Sequence, residues 1–229
     1  MLDPATARSL EGVVSRHAFR IPRYYLDLID FSNPLCPIRG QAIPSFAEDG
    51  QGGSEDPLGE EGISLTPILL RRHPDRCVFL VSSECAMYCR FCNRRRFAGK
   101  LVDPEPYLEE SYAVIENDAS IREVILSGGD PFMLKAEKLR SILERLRSME
   151  KRLVIRLSTR VPVVCPDALS VEHVKAIEAA SPVWVVLHIN HPREITDRSL
   201  AAIASIRNAG GIPVSQTVLL RNVNDCPHV

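Results

Sequence analysis

The sequence predicts an α/β protein in which parallel strands form a partial (β/α) barrel or an open sheet, after an irregular, partly helical N-terminal extension. From residue 72 onward, short runs rich in valine, isoleucine and leucine alternate with amphipathic segments. Strands and helices that alternate at about 30 residues per unit are typical of right-handed βαβ units around a parallel sheet. In both architectures, ligands bind at the carboxyl ends of the strands.

The apolar runs predict five strands, which are Cys77–Ser82, Glu123–Leu126, Leu153–Leu157, Val183–Leu187 and Ile212–Leu219. Between the second and third strands, four apolar residues recur at the i, i+3, i+4 and i+7 spacing of a helix with one buried face. They are Leu139, Ile142, Leu143 and Leu146. Similar patterns predict three further helices, at Tyr107–Asn117, Ala168–Ala180 and Asp197–Asn208.

Residues 1–70 lack this alternation. They contain several prolines and the polar, glycine-rich stretch AEDGQGGSEDPLGEEG, a composition that predicts loops. A short helix is expected near Arg23–Ile29. The chain is therefore divided into an N-terminal extension over 1–70 and a partial barrel over 71–229.

The composition excludes several classes of protein. With 229 residues, 45% of them hydrophobic and 25% charged, the chain has the balance of a globular protein with a sizeable core. A net charge of -1 argues against a generic nucleic-acid binder. No apolar run is long enough to span a bilayer, and four of the seven cysteines are scattered, so we expect no disulfide framework and a cytoplasmic location.

Three cysteines stand close together, at Cys85, Cys89 and Cys92, in a C-x3-C-x2-C pattern with no fourth cysteine nearby. A cubane iron–sulfur cluster is normally held by four thiolates, so three of them suggest a cluster with one iron left open for a ligand. The pattern is also compatible with a zinc site, but zinc usually takes four protein ligands in two pairs, and the chain has no second pair. It is compatible with ordinary core thiols as well.

Polar residues also end the later predicted strands. Ser127-Gly128-Gly129-Asp130 ends the second strand, Ser158-Thr159-Arg160 ends the third, His188 ends the fourth and Gln216 lies within the fifth. Because the carboxyl ends of parallel strands meet at one edge of the sheet, we expect these residues to converge near the cysteines. Taken alone, the glycine pair is as typical of a tight turn, and a single histidine is more often a hydrogen-bonded part of a core.

The string CAMYCRFCNRRRFAGK resembles the lysine 2,3-aminomutase family of the radical S-adenosylmethionine (SAM) superfamily. Further segments carry the resemblance, in the family's order and over nearly all of the chain: IPRYYLDLID, IRGQAIPS, DPLGEE, RRHPDR, ILSGGDP, STRVPVV, HINHPREIT and VLLRNVND. The resemblance implies a partial barrel of the radical SAM type and three cofactors, a [4Fe–4S] cluster, SAM and pyridoxal 5′-phosphate (PLP). It also implies an isomerase that moves an amino group from C2 to C3 of an amino acid, L-lysine to β-lysine first of all.

The resemblance assigns roles residue by residue. The cluster ligands are Cys85, Cys89 and Cys92, and the aromatic residue beside the SAM adenine is Phe91. The residues at the methionine amino group of SAM are Ser127, Gly128, Gly129 and Asp130. Contacts to SAM or PLP are assigned to Arg160, His188 and Gln216, and contacts to the PLP phosphate to Arg72 and Arg76.

Two further positions bear on the substrate. Arg94 matches the residue that binds the substrate's α-carboxylate, with a planar fork suited to that group. One relative in the family isomerises a lysine that is then attached to a translation factor, and it typically has histidine at the position of Arg96. Arginine at this position therefore favours the enzymes that act on free amino acids. His73 departs from the tyrosine common in the family.

No catalytic lysine can be assigned, because the lysine that forms the PLP imine has no counterpart in this chain. We therefore expect an N-terminal portion of an aminomutase that binds a cluster and SAM without catalysing the full isomerisation. Alternatives are a glutamate 2,3-aminomutase, a radical SAM enzyme that works without PLP, and a non-catalytic cluster-binding fragment. The expected partners are a small amino acid and a reducing protein of the flavodoxin or ferredoxin type, without nucleic acid or membrane, and a homo-oligomer is compatible with the sequence.

Overall fold

A computed structural model describes residues 11–49, 54–100 and 103–227. Within these described residues, seven strands form one sheet in the order in which they follow along the chain. They are β1 (Ser64–Thr66), β2 (Leu69–His73), β3 (Arg76–Ser82), β4 (Glu123–Gly128), β5 (Val154–Thr159), β6 (Val183–His188) and β7 (Gly211–Gln216). The strands β3 to β7 are parallel, whereas β1 and β2 pair antiparallel with each other and β2 pairs antiparallel with β3.

Helices α1 (Arg23–Leu26) and α2 (Pro37–Ala42) precede the sheet. The α-helices that connect the parallel strands are α3 (Leu108–Asn117), α4 (Ala136–Arg147), α5 (Val161–Val164), α6 (Val171–Ala179) and α7 (Asp197–Asn208). A parallel sheet in which each strand lies beside its predecessor is wound in one direction, as in a barrel, whereas a doubly wound sheet reverses its strand order. The predicted partial parallel barrel is confirmed by this order, and the five predicted parallel strands all form within a few residues of their expected bounds.

The core lies between the sheet and its helices. The four periodic residues of α4 are at most 1% exposed, as the helical spacing predicts. In β5 and β6, alternate residues are buried, including Ile155, Leu157, Val183 and Val185. Burying a side chain of this size stabilises the fold by about 1.5–3 kcal/mol, so the alternation fixes which face of each strand meets the helices. Ser170 is the N-cap of α6, since its side chain accepts a hydrogen bond from the backbone N–H of His173. This bond fixes the point at which the preceding loop ends and the helix begins.

The N-terminal extension differs from the predicted loop. Residues 64–73 form the β1–β2 hairpin, and the expected boundary at residue 70 falls inside β2. Leu69 and Leu70 are buried, and Tyr25 and Ile38 lie in the same core as the barrel. The prediction of loops was wrong for residues 64–73. Two leucines followed by arginines are too short an apolar pattern to indicate a strand. None of the described helices is long and apolar enough to cross a membrane.

Candidate functional site at the strand ends

A cavity of about 500 Å³ opens at the carboxyl ends of β4 to β7, next to the loop that follows β3. Among the side chains and backbone that line it are twelve of the residues predicted for the site: Cys85, Cys89, Phe91, Cys92, Arg94, Ser127, Gly128, Gly129, Asp130, Arg160, His188 and Gln216. The expected convergence of the strand ends with the cysteines is therefore present in the fold.

Arg72 and Arg76 do not lie with the others. Arg76 begins β3, at the opposite end of the strand from the cysteine loop, and it pairs with Asp75 at 2.9 Å. Arg72 is exposed, and its guanidinium donates to the backbone carbonyl of Leu58. Their assignment to a phosphate stays a prediction. No lysine lines the cavity in the part of the chain that the structure describes.

The glycine pair fixes where the cysteine loop leaves the sheet. The backbone N–H of Gly129 donates to Ser82 O at 2.6 Å, and that of Asp130 donates to Glu84 O at 2.7 Å. A Cβ atom on Gly129 would lie 2.2 Å from Glu84 O, and Gly128 has a φ of +107°. Glycine is needed here because the two backbones touch, and this contact holds the residue just before Cys85.

Asp130 joins the end of β4 to the end of β5. Its carboxylate accepts hydrogen bonds from the Thr159 hydroxyl at 2.8 Å, the Arg160 N–H at 2.7 Å, the Val161 N–H at 3.1 Å and the Phe132 N–H at 3.1 Å. Burial raises the pKa of Asp130. These donors occupy both carboxylate oxygens, so the contact to an ammonium group stays a prediction.

Arg160 lies in the wall of the cavity, between the cysteine loop and the N-terminal extension. Its Nη1 donates to the Sγ of Cys89 at 2.9 Å, and its Nη2 donates to Glu194 Oε1 at 2.5 Å. Burial alone lowers the pKa of Arg160, but its interactions with Cys89, Tyr25 and Glu194 outweigh it and the net direction is upward. The guanidinium therefore stays charged at any ordinary pH.

Phe91 and His188 form an aromatic contact next to Arg160. The two rings meet edge to face, with centroids 5.2 Å apart, and the guanidinium of Arg160 lies 5.1 Å from the centre of the Phe91 ring. The Nε2 of His188 is 3.0 Å from Asn190 Oδ1. Burial and the nearby charge of Arg160 lower the pKa of His188 to about 4, so the imidazole is neutral at pH 7.

This lowered pKa predicts an acid-sensitive fold. The folded pKa lies below the ordinary value of 6.5, so the unfolded chain binds more protons between pH 6.5 and about 4, and stability falls as the pH drops through that window. We expect the iron-free protein to lose about 1–2 kcal/mol of unfolding free energy from His188 between pH 7 and pH 5. Urea titrations at the two pH values measure it.

Matched variants separate His188 from other groups. The His188→Asn variant should lose less stability between the two pH values than the wild type, whereas His73→Gln, at an exposed position, should match the wild type. An equal pH dependence in wild type and His188→Asn would contradict the burial of a neutral imidazole.

The three consecutive arginines after the cysteines pair with acidic residues of the N-terminal extension. Arg94 bonds Glu60 through Nε at 2.9 Å and Nη2 at 2.7 Å, and its Nη1 donates to the Ser127 hydroxyl at 3.1 Å. Arg95 pairs with Glu48 at 3.1 Å. Arg96 pairs with Asp56 at 2.9 Å.

The ion pairs leave part of Arg94 for a ligand. Glu60 takes the Nε–Nη2 edge of the guanidinium and Ser127 takes one Nη1 hydrogen, so one N–H remains on each terminal nitrogen. Arg94 is then oriented by protein contacts while keeping donors for an anion in the cavity.

Sequence reasoning missed the residues that hold the predicted ones in place. They are Tyr25, Gln41, Glu60, Asn190 and Glu194. All five lie inside segments that carried the family resemblance, but no local pattern indicated their partners.

A family model described as the radical SAM superfamily matches residues 79–228. The chain belongs to the radical SAM superfamily. It is 43% identical to the L-lysine 2,3-aminomutase of Acetoanaerobium sticklandii and 41% identical to that of Clostridium subterminale, in each case over 99% of this chain and 56% of the relative. It is also 35% identical to a glutamate 2,3-aminomutase of Clostridioides difficile, over 94% of this chain and 52% of the relative. The predicted resemblance is confirmed, and the chain spans about half the length of these relatives.

Radical SAM proteins bind a [4Fe–4S] cluster and SAM, and the residues around the cavity fit such groups. Burial raises the pKa of the Cys85 and Cys92 thiols, so a bound cation is needed to hold them as thiolates. Over the described ranges, no three His, Cys, Asp or Glu side chains converge closely enough to share one metal ion. In a cubane cluster each thiolate binds a different iron, so three cysteines that line the cavity need not converge on one metal ion. Among the described residues, the buried Nε of Arg160 has no hydrogen-bond partner, which leaves a donor for a ligand.

Proposed function

We propose that this chain binds a [4Fe–4S] cluster through Cys85, Cys89 and Cys92, binds SAM beside it, and forms the radical-generating part of an aminomutase of a free amino acid. The observation that supports this proposal most is the convergence of the cysteine loop and four strand ends on one cavity of about 500 Å³. The relatives support it further, since several are named L-lysine 2,3-aminomutase.

Each part of the site has a role in this proposal. When bound, SAM reduced at the cluster supplies the group that abstracts a hydrogen atom from the substrate. The ring of Phe91 offers an apolar face for the adenine, and Ser127, Gly128, Gly129 and Asp130 are the proposed contacts of the methionine moiety. His188, neutral and half-buried, offers a hydrogen bond without adding charge, and Gln216 offers an amide at the end of β7.

Substrate binding is assigned to Arg94. Its two remaining terminal N–H groups can donate to a carboxylate, and Glu60 fixes the plane of the guanidinium. An α-amino acid carries such a carboxylate whatever its side chain, so this contact does not distinguish lysine from glutamate. L-Lysine is the proposed substrate because the lysine enzymes are more similar to this chain than the glutamate enzyme is.

PLP is the third proposed cofactor. When bound, it supplies a conjugated system that stabilises a radical next to the migrating nitrogen. Arg72 and Arg76 are the proposed phosphate contacts. Because no lysine of the described residues lines the cavity, we expect this polypeptide alone to bind PLP weakly and not to turn over lysine.

Anaerobic reconstitution with iron and sulfide tests the proposal. We expect about four irons per chain, and cleavage of SAM to methionine and 5′-deoxyadenosine when dithionite is added. Without the cluster, cleavage should be undetectable by liquid chromatography. A fully iron-loaded chain that leaves SAM intact would favour a non-catalytic cluster protein.

The same preparation tests the need for PLP and the choice of substrate. SAM cleavage that is unaffected by PLP, with no absorbance near about 400–430 nm from a cofactor imine, would favour an enzyme that works without PLP. Formation of β-lysine by this polypeptide alone would contradict the expectation that the PLP lysine lies elsewhere. Parallel incubations with lysine and glutamate compare the two substrates.

A further inference from the structure

We propose that Arg160 is a positioning residue for the cluster, whose hydrogen bond to Cys89 makes the cluster easier to reduce. The inference rests on the proposed function, because it requires that Cys89 ligate iron. Its basis is the 2.9 Å contact between Arg160 Nη1 and Cys89 Sγ. Arg160 thus contacts the protein ligand of the metal, whereas the sequence suggested a contact to SAM or PLP.

The guanidinium is held in one orientation by the rest of the network. Nη2 donates to Glu194 Oε1 at 2.5 Å, to Gln41 Oε1 at 2.6 Å and to the Tyr25 hydroxyl at 3.2 Å. Arg160 is 7% exposed, and its plane lies near the ring of Phe91. These contacts keep the side chain from rotating towards solvent. The Nη1 donor therefore stays at hydrogen-bond distance from the sulfur, and no further ordering of the side chain is needed.

The charges around Arg160 are arranged as a dipole. Glu194 is 0% exposed, and its second oxygen accepts the N–H groups of Asn190 at 2.7 Å and His191 at 3.1 Å. The fixed carboxylate bonds Nη2 of the guanidinium, whereas the sulfur of Cys89 bonds Nη1. The positive end of this buried pair faces the sulfur.

The direction of the effect follows from charge. A reduced cluster carries one more negative charge than an oxidised one, and hydrogen bonds to its sulfurs are among the features that set the potential. A charged donor stabilises the reduced state more, and water does not screen it at a buried site. Loss of Arg160 should therefore move the midpoint potential to more negative values.

The N-terminal extension takes part in this effect. Tyr25 lies in α1 and Gln41 lies in α2, and both contact the same nitrogen of Arg160. Gln41 also accepts a hydrogen bond from Asn190 Nδ2 at 2.9 Å, which links the extension to the loop after β6. The extension thereby helps to set the position of a donor that contacts the cluster loop.

The test is a redox titration of reconstituted protein, in the absence of SAM, followed by the electron paramagnetic resonance signal of the reduced cluster. For Arg160→Gln we expect the equilibrium constant for reduction of the cluster to fall at least tenfold. For one electron, this corresponds to a midpoint potential about 59 mV more negative. Arg160→Lys keeps the charge but not the planar fork, and should fall between Gln and the wild type. Arg94→Gln removes a charge from the same cavity, and the side-chain partners of Arg94 are Glu60 and Ser127 rather than a sulfur, so this variant should shift the potential less.

The remaining outcomes are also decisive. If the Arg160→Gln protein takes up no iron, the Gln41→Ala protein is titrated instead, because it keeps Arg160 and removes one of the partners that hold the guanidinium. The Gln41→Ala change should shift the midpoint potential in the same direction by a smaller amount. An iron-loaded Arg160→Gln or Gln41→Ala at the wild-type potential overturns the inference, and weakened SAM binding at that potential would assign Arg160 to the ligand instead. A wild-type chain that takes up no cluster would overturn the proposed function itself.

Discussion

The Cys89→Ala variant is expected to lose the iron–sulfur cluster, with at least a tenfold lower iron and sulfide content per chain after anaerobic reconstitution. Cys89 is one of three cysteines that line the cavity, so its loss leaves two thiolates for a cluster that needs three or four. The same change also leaves the buried Nη1 of Arg160 without its sulfur partner. Iron analysis and the brown absorbance of the reconstituted protein measure the effect.

Controls for this prediction come from the other cysteines. Cys226 is exposed, and Cys165 is half-buried outside the residues that line the cavity, so Cys226→Ala and Cys165→Ala should keep the wild-type iron content. Circular dichroism of the iron-free Cys89→Ala protein should show a folded chain. Unchanged iron in Cys89→Ala would refute the ligand assignment, and an equal loss in Cys226→Ala would mean that iron binds to thiols without a specific site.

The architecture and the place of the site could be predicted because both follow from local patterns. Apolar runs such as Val183–Leu187 alternate with amphipathic segments, and this fixes the order of strands and helices. Residues that end consecutive parallel strands must meet at one edge, so the sequence alone is enough to bring His188 and Asp130 close to the cysteines.

The contacts that organise the site could not be predicted. Glu194 and Arg160 are 34 residues apart, and Tyr25 and Arg160 are 135 residues apart. Charge and periodicity indicate that such residues are polar but not which partner each one meets, since that depends on how separate elements pack. Arg94 illustrates this: the sequence predicts a basic residue near the cluster, whereas only the fold brings Glu60 to the guanidinium.

The role of the glycine pair changed for a similar reason. Two glycines after a strand predict that something comes close to the backbone, and the expected neighbour was a ligand. In the fold, that neighbour includes the backbone of residues 82 and 84, which starts the cysteine loop.

Replacing Gly129 with alanine is therefore expected to damage the cluster site and the fold together. The new Cβ would lie 2.2 Å from Glu84 O, 2.7 Å from Glu84 C and 2.8 Å from Glu84 N. All three are backbone atoms, so a rotamer change cannot relieve the clash, and β4 must move away from the cysteine loop. That movement stretches the hydrogen bonds from Gly129 N to Ser82 O and from Asp130 N to Glu84 O.

The expected cost is about 1–3 kcal/mol of unfolding free energy, as for other overpacked sites, with a lower iron content because Cys85 directly follows the displaced residue. Urea unfolding and iron analysis measure the two effects. Gly62→Ala is the matched control, since a Cβ there meets nothing within 4 Å and the backbone is not left-handed, so its stability and iron content should equal those of the wild type. A Gly129→Ala protein with wild-type stability and iron would mean that the cysteine loop can move freely relative to β4, and the close contact would then not be what positions Cys85.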